Sequence, residues 1–567
     1  MQLKTVSSQY KHLPERDEKD FAPYLTGSEI MLKNDTFSFQ ALCRADDGCI
    51  CLPVSVSAVC EGVPVEAWRV DYAPVIRVGN EYGEKGFESD KPGVFPDILS
   101  PRPAEPVVEK LDAPWNSAYF EKDTDNLINI SGDMWLPVWF TLNPDGETLA
   151  PGKRTITVRM TSLSNPDDIV TAEIPLEVAD AELPEQDVFC TNWFHCDCLC
   201  DLHHVELYSD EFYTIFDEYI RNMTEHRQNT LLLPAFTPPL DTPIGSERMN
   251  VQLVDISREN GSWKFGFDKM RKFIGHADRC GIKWFEHCHL FSQWGAYHAP
   301  NIYLSDGTRI FGQETDASGE EYSGFIRAYL AAFLEFAKDV GIEKRLIFHI
   351  SDEPVPKQLD SYAKAVGVVR DLLDGYLTAD AMSHIDFWEK GLVGQPVVDM
   401  PFAENFFGKC PDFWVYYTGG YYEKNSTNRL IVNTAARTRV LGVQMWYYGA
   451  KGFLHWGYNF CYDRLSAGMV DPRVSPNGYK LYAGDCCLPY PTVTGGRHVV
   501  PSIREKLMGE AFDDLRALKL LESKIGREET LKVCEETLGG KVNNTLIPDA
   551  DALHRLRNKV NRLCAER

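Results

Sequence analysis

The chain predicts a multidomain architecture: an N-terminal β-sandwich followed by a (β/α)8 TIM-type barrel with C-terminal helices. Three observations carry that expectation. The 567 residues exceed what one hydrophobic core organises, so two or more domains are expected. Residues 1–187 show short runs that alternate apolar and polar between turn residues, the pattern of half-buried strands. From residue 188 the rhythm changes to short, uniformly apolar runs with helical segments between them, eight in all, as a closed parallel barrel needs.

In the first region, RTITVRM sets Ile156, Val158 and Met160 on one face and Thr155, Thr157 and Arg159 on the other. Regular short strands of this kind suggest a sandwich. The acidic, proline-bearing stretch 179–187 reads as a linker. VFCTNWFH is the first barrel strand. After it, Phe212, Ile215, Phe216, Tyr219, Ile220 and Met223 keep helical spacing. Ser209 is placed to cap that helix, with Asp210 and Glu211 at its positive end. TLLLPAF is the second strand. A helix around Met270, Phe273, Ile274 and Ala277 leads to IKWFEHC, and a helix from Tyr322 to Val340 leads to LIFHI. YLTA, VVDM, FWVYY and GFLHWGY complete the eight. A doubly wound sheet competes for the same rhythm, but no glycine-rich phosphate loop follows an early strand. Ser502 and Glu505 form a capping box for a helix over 503–524, and a charged helical tail follows. The expected domains are therefore 1–187, 188–525 and 526–567.

Composition narrows the function. The formal net charge of −25 argues against nucleic acid, which requires a basic face, and favours neutral over polyanionic substrates. No apolar run is long enough to cross a membrane. The first residues contain no apolar signal core, and the sixteen cysteines form no compact framework, so reduced thiols and a cytoplasmic location are expected. A homo-oligomer is left open.

The chemistry concentrates in HISDEP, residues 349–354. In a barrel, catalytic residues sit at the C-terminal ends of strands, which places Asp352 and Glu353 at the top of strand four. Neighbouring residues are badly placed to flank a glycosidic bond from opposite sides. They suit a one-sided scheme, in which one acid protonates the leaving oxygen and the other holds an internal nucleophile such as a 2-acetamido group. From composition alone, a solvated turn accounts for Asp-Glu-Pro equally well.

HISDEP resembles the catalytic signature of glycoside hydrolase family 123, the β-N-acetylgalactosaminidases, and of related catalytic domains of unassigned function. NWFHCDC, MTEHRQN, PAFTPPLDT, FEHCHLFSQWGAYHAP, GAKGFLHWGYN and PSIREKLMGEAFDDLRAL resemble that wider group in order, over most of residues 188–525. The N-terminal region resembles the sandwich that precedes the family's barrel. The resemblance implies release of a terminal β-linked 2-acetamido sugar, with retention and without a cofactor. Glu353 would be the general acid/base, and Asp352 would orient the acetamido group and stabilise an oxazolinium ion. On this view Glu353 faces an apolar pocket, has a raised pKa and stays protonated near neutrality, while Asp352 remains ionised. Relatives tend to carry GD–L–YP near the barrel's end, where this chain reads GDCCLPYP.

Other strand ends supply residue types that bind sugars by stacking and hydrogen bonding. Asn192, Trp193 and His195 follow strand one. Glu286, His287, His289, Gln293 and Trp294 follow strand three. Tyr416 and Tyr417 follow strand seven, and Trp456 and Asn459 strand eight. Two further readings stand beside the first. In one, a distant carboxylate such as Glu286, Glu404 or Asp386 serves a sugar without a 2-acetamido group. In the other, the protein binds carbohydrate without cleaving it. HCDCLCDLHH, 195–204, offers soft metal ligands, but it lacks a C-x-x-C knuckle. Cys196, Cys198 and Cys200 would instead pack on one face of a strand, and no metal is expected.

Overall fold

The computed structural model describes every residue except 22–24, 26, 28, 81–82, 102–126, 239, 243–246, 420–425, 477–480, 494–495 and 567. Pro239 of the PAFTPPLDT stretch therefore lies outside the described residues.

Two five-stranded sheets form the N-terminal sandwich. One runs in the order Gln2–Ser7, Phe37–Arg44, Leu136–Leu142, Val65–Val75, Gly93–Ser100. The other runs Glu29–Leu32, Ile169–Ala179, Gly152–Ser162, Leu52–Cys60, Leu127–Ile130. Period-two alternation builds the core between them. Ile156, Val158 and Met160 are fully buried and share a cluster with Phe39, Ala41 and Phe140 of the opposite sheet.

The eight apolar runs close into a parallel barrel in chain order. Its strands are Phe189–Asn192, Thr230–Leu233, Trp284–His287, Leu346–Phe348, Leu377–Ala381, Gln395–Asp399, Trp414–Tyr416 and Gly452–His455. Strand one pairs with strand eight from Phe189↔Gly452 to Asn192↔His455, which seals the ring. The strands are short and mostly buried because helices cover their outer faces. The helix Asp210–Glu225 buries Phe212, Ile215, Phe216, Tyr219, Ile220 and Met223, and the Ser209 hydroxyl accepts from the Phe212 N–H. The helices Asp268–Arg279 and Glu320–Asp339 lie where helical spacing put them. Among the described residues, no helix is long and apolar enough to cross a membrane.

The helix Ile503–Ile525 joins the two regions. Ser502 caps it by accepting from the Glu505 N–H. The expected reciprocal half of the capping box is different, because Glu505 is fully buried and its carboxylate accepts from Asn222 at 2.9 Å. Arg504 reaches into the sandwich, where its Nε donates to Asp97 Oδ2 at 2.9 Å with both side chains fully buried. Arg504 also donates to the carbonyls of Gly484, Cys487 and Leu488. The final helix, Ala550–Glu566, lies along the outer edge of the strand Glu29–Leu32. Asn558 Oδ1 accepts from the Ile30 N–H at 3.2 Å, and Asn561 Nδ2 donates to the Ile30 carbonyl at 2.9 Å.

Removing one member of a buried ion pair leaves the other charge buried without its counter-ion. Asp97→Ala is expected to lower the unfolding free energy by about 3–5 kcal/mol, read from the urea midpoint of the full chain. A loss below about 1 kcal/mol would show that water reaches the Arg504 guanidinium.

Candidate active site

A cavity of about 270 Å³ opens at the C-terminal rim of the barrel, and both acids of HISDEP line it. Their adjacency does not give them the same surroundings. Asp352 is 9 % exposed, and Gln293 Nε2 donates to its Oδ2 at 2.9 Å. Glu353 is exposed and sits in the left-handed backbone region at φ 43°. Tyr416 Oη, from the end of strand seven, donates to Glu353 Oε1 at 2.7 Å. Burial holds the Tyr416 phenol well above its usual range, so it stays a donor. The left-handed residue lies in the bend past the end of strand four, where side chains no longer alternate as they do along a strand.

The electrostatics differ from the sequence-based expectation. Burial and a neighbouring carboxylate act on Asp352. Burial first, and the Glu353 charge second, push the Asp352 carboxyl up to about 7, opposed by the Gln293 bond. In the ligand-free protein Asp352 is therefore partly protonated near neutrality rather than fully ionised.

A charged layer lies directly beneath. His349 is fully buried, with Nε2 3.0 Å from Glu286 Oε1 and Nδ1 3.4 Å from Asp380 Oδ1. Burial alone would discharge the ring, but the bonds to Asp380 and Glu286 outweigh it and hold the ring protonated, up to about 10. Thr191 Oγ1 completes the layer by donating to Glu286 Oε2 at 2.6 Å.

The walls come from loops. Trp193 follows strand one and is buried at the cavity's edge. Trp456 follows strand eight, and its indole N–H is held by Thr418 Oγ1 at 3.0 Å and Asp485 Oδ2 at 3.3 Å. Asp485 belongs to GDCCLPYP, so this divergent stretch sets the pose of an aromatic wall. Asp241 Oδ2 accepts from the Leu465 and Ser466 N–H groups at 2.7 and 3.3 Å and ties the loop after strand two to the loop after strand eight. Asp241, Trp294, Glu353 and Leu465 all line the cavity, and all four have positive φ. Such backbone costs about 1–3 kcal/mol per residue and gathers at functional sites.

Of the residues singled out from sequence, Trp193, Gln293, Trp294, Tyr416 and Trp456 meet around the cavity with Asp352 and Glu353. Most of the others lie behind its wall. Asn192 accepts from Arg429 and donates to Gln228. His195 and Asn459 are tied to each other, through His195 N–H to Asn459 Oδ1 at 2.8 Å and Asn459 Nδ2 to the His195 carbonyl at 3.0 Å. Glu286 belongs to the charged layer. His289 packs against Trp193 and His349, with ring centroids 5.2 and 5.1 Å away. Tyr417 is buried against Phe453. Glu404 and Asp386 are exposed and off the cavity. Sequence reasoning missed Asp241, Thr242, Thr418 and Leu465, loop residues that no periodicity marks.

The cysteine-rich stretch is a helix, Cys196–His203, and not a strand. Strand one has already ended at Asn192, and the α-helical turn leaves Cys196 and Cys200 in one core cluster and Cys198 in another. Arg248 occupies the space among its polar groups. The guanidinium contacts Asp197 at 2.8 and 2.7 Å, His195 Nδ1 at 3.3 Å and Cys198 Sγ at 3.8 Å. The donor set that invited a metal reading thus surrounds an internal cation.

A model of the glycoside hydrolase 123 catalytic domain matches residues 193–521. A family 123 glycoside hydrolase from Clostridium perfringens, described for glycolipid glycan hydrolysis, superposes with a TM-score of 0.73 at 13% identity. The match covers 100% of this chain and 98% of that one, and it shows a shared fold. A family 39 glycoside hydrolase from Bacteroides cellulosilyticus has a TM-score of 0.32 at 13% identity over 69% of this chain and 74% of its own. That score is too low to support a reading. No curated protein matches the sequence.

Because the folded-state pKa of Asp352 lies above its unfolded value, its contribution to stability is fully present below about pH 4 and is lost as pH rises through about 7. Asp352→Asn removes the ionisation and keeps an oxygen for Gln293. Its stability relative to wild type is expected to rise between about pH 4 and pH 8, by on the order of 1–3 kcal/mol. Thermal melts across that range that differ by a constant amount would contradict the burial of this charge.

Proposed function

The chain belongs to glycoside hydrolase family 123 and is a glycoside hydrolase, and we propose that it releases a terminal β-linked 2-acetamido sugar, N-acetylgalactosamine above others, through an oxazolinium intermediate. One observation carries this reading. Besides Asp352 and Glu353, the only carboxylate among the described lining residues is Asp241, and the carboxylate oxygen Oδ2 of Asp241 already serves two backbone N–H groups. With no further carboxylate among the described lining residues, the nucleophile is best supplied by the substrate. The galactosamine form is supported by the family resemblance.

In this scheme the acetamido carbonyl oxygen attacks the anomeric carbon while the glycosidic C–O bond breaks. Glu353, held by Tyr416, gives its proton to the leaving oxygen and recovers one from the water that opens the oxazolinium ring, which yields net retention. Asp352 accepts from the acetamido N–H. Positive charge growing on that group favours the carboxylate form of Asp352, so its raised pKa in the free protein is compatible with an ionised transition state. Trp193 and Trp456 offer apolar faces to the pyranose.

The test is a panel of aryl glycosides with and without the acetamido group. Hydrolysis is expected only with the group present and to slow when it is trifluorinated, because the carbonyl oxygen is then a poorer nucleophile. Glu353→Gln should lose about 10²–10⁴-fold on poor leaving groups and far less on dinitrophenyl glycosides. Asp352→Asn should slow both kinds. Wild-type kcat/KM should fall as pH drops through about 7, where Asp352 takes up its proton. Full activity in Asp352→Asn, or turnover of a plain galactoside, would overturn the neighbouring-group scheme.

A further inference from the structure

The turn that carries Asp352 and Glu353 is held by a side chain of the next strand where backbone pairing would be expected. Strand four pairs with strand five only at Ile347↔Leu377 and Phe348↔Thr378. Beyond that point the Ile350 and Ser351 N–H groups turn to the Asp380 carboxylate, at 2.9 Å on Oδ1 and 3.2 Å on Oδ2. Backbone contact resumes at Glu353, whose N–H meets the Ala381 carbonyl at 3.0 Å. The other side of the turn is fastened to residues 290–294. The Leu290, Phe291 and Trp294 N–H groups donate to the carbonyls of His349, Ile350 and Asp352 at 3.0, 2.9 and 2.8 Å.

We propose that Asp380 is a positioning residue for the glycosidase reaction, its carboxylate standing in for missing sheet pairing so that Asp352 turns inward and Glu353 outward. This rests on the functional reading above. A carboxylate suits the task because both oxygens accept. They receive two successive N–H groups and the Tyr362 hydroxyl, and the His349 imidazolium stands 3.4 Å away. An amide offers one acceptor and sets its own N–H groups against those donors. Dislocations of this kind re-aim side chains next to active sites. Asp380 touches no reacting atom. It acts through the backbone it holds, and through its charge on Asp352, whose other charged and titratable neighbours are Glu353, His349 and Tyr416.

The experiment is Asp380→Asn in the full chain, with kinetics on whichever glycoside the wild type hydrolyses, and hydrogen exchange of the 346–353 segment by mass spectrometry. The expected result is a kcat lower by about 10²-fold at a KM within about threefold, as a misplaced catalytic group gives. The acid limb of the pH profile should move to lower pH, because a negative charge beside Asp352 is gone, and exchange at Ile350 and Ser351 should quicken. A folded variant with wild-type kcat and wild-type exchange would overturn the proposal. If Asp380→Asn does not fold, Tyr362→Phe decides. A reduced kcat at constant KM with faster exchange supports the proposal, and an unchanged enzyme overturns it. A wild type silent on every glycoside would count against the proposed function, and the exchange measurement would still judge the role of Asp380.

Discussion

A protonated imidazole fixed between two carboxylates governs the upper half of this barrel. His349 comes from the end of strand four, Glu286 from strand three and Asp380 from strand five, and Thr191 of strand one closes the set. None of the three charges reaches water. Each is tolerable only because the others are present, since a lone buried charge costs several kcal/mol. The layer therefore ties four strands across the barrel interior and sets their relative height. It also fixes what lies above. Asp352 rests over a cluster with one more negative than positive charge, and its carboxyl is held up by its own burial, by Glu353 and, more weakly, by Asp380.

Much of the fold was legible because burial leaves a plain mark on composition. Each barrel strand is covered on both faces, so each appeared as a short, mainly apolar run, and all eight became barrel strands in order. The sandwich was legible through the opposite signal, one wet face and one dry, as Ile156, Val158 and Met160 show. The site was legible only in part. An acid pair at a strand end stands out, but which acid is buried depends on the left-handed turn at Glu353 and on Asp380, a residue of another strand. The same limit explains Asn192, His195, Glu286, His289, Tyr417 and Asn459. When both faces of a strand are apolar, alternation does not say which end residue points into the cavity. Asp241 and Leu465 left no mark because loops carry no period. The cysteine stretch misled because spacing of two suggests a strand, whereas the local question was where strand one stopped.

The sandwich is not an appendage to the barrel. Arg504 and Asp97 neutralise each other across the boundary, Glu510 accepts from Ser8 at 2.9 Å, and Arg557 bridges Asp35 of the sandwich and Asp514 of the joining helix at 2.7 and 2.8 Å. Buried polar bonds of this kind have strict geometry and add specificity to apolar contact. They connect the aromatic walls to the far domain as well, since Arg504 also grips the carbonyls around Cys487, beside the Asp485 that orients Trp456.

The final helix along the strand Glu29–Leu32 has a consequence for how the protein is made. That strand is the edge of its sheet, and an open edge is a template for pairing with other chains. Its polar groups at Ile30 are covered by asparagines more than 500 positions later, Asn558 standing 528 residues away. At ribosomal speeds of roughly 5–20 residues per second, the interval is on the order of a minute. Throughout that time the sandwich carries an uncovered edge, because its cover is translated long after the strand. Translation of residues 1–187 is thus not enough to complete the sandwich, which closes only when the helix Ala550–Glu566 has left the ribosome.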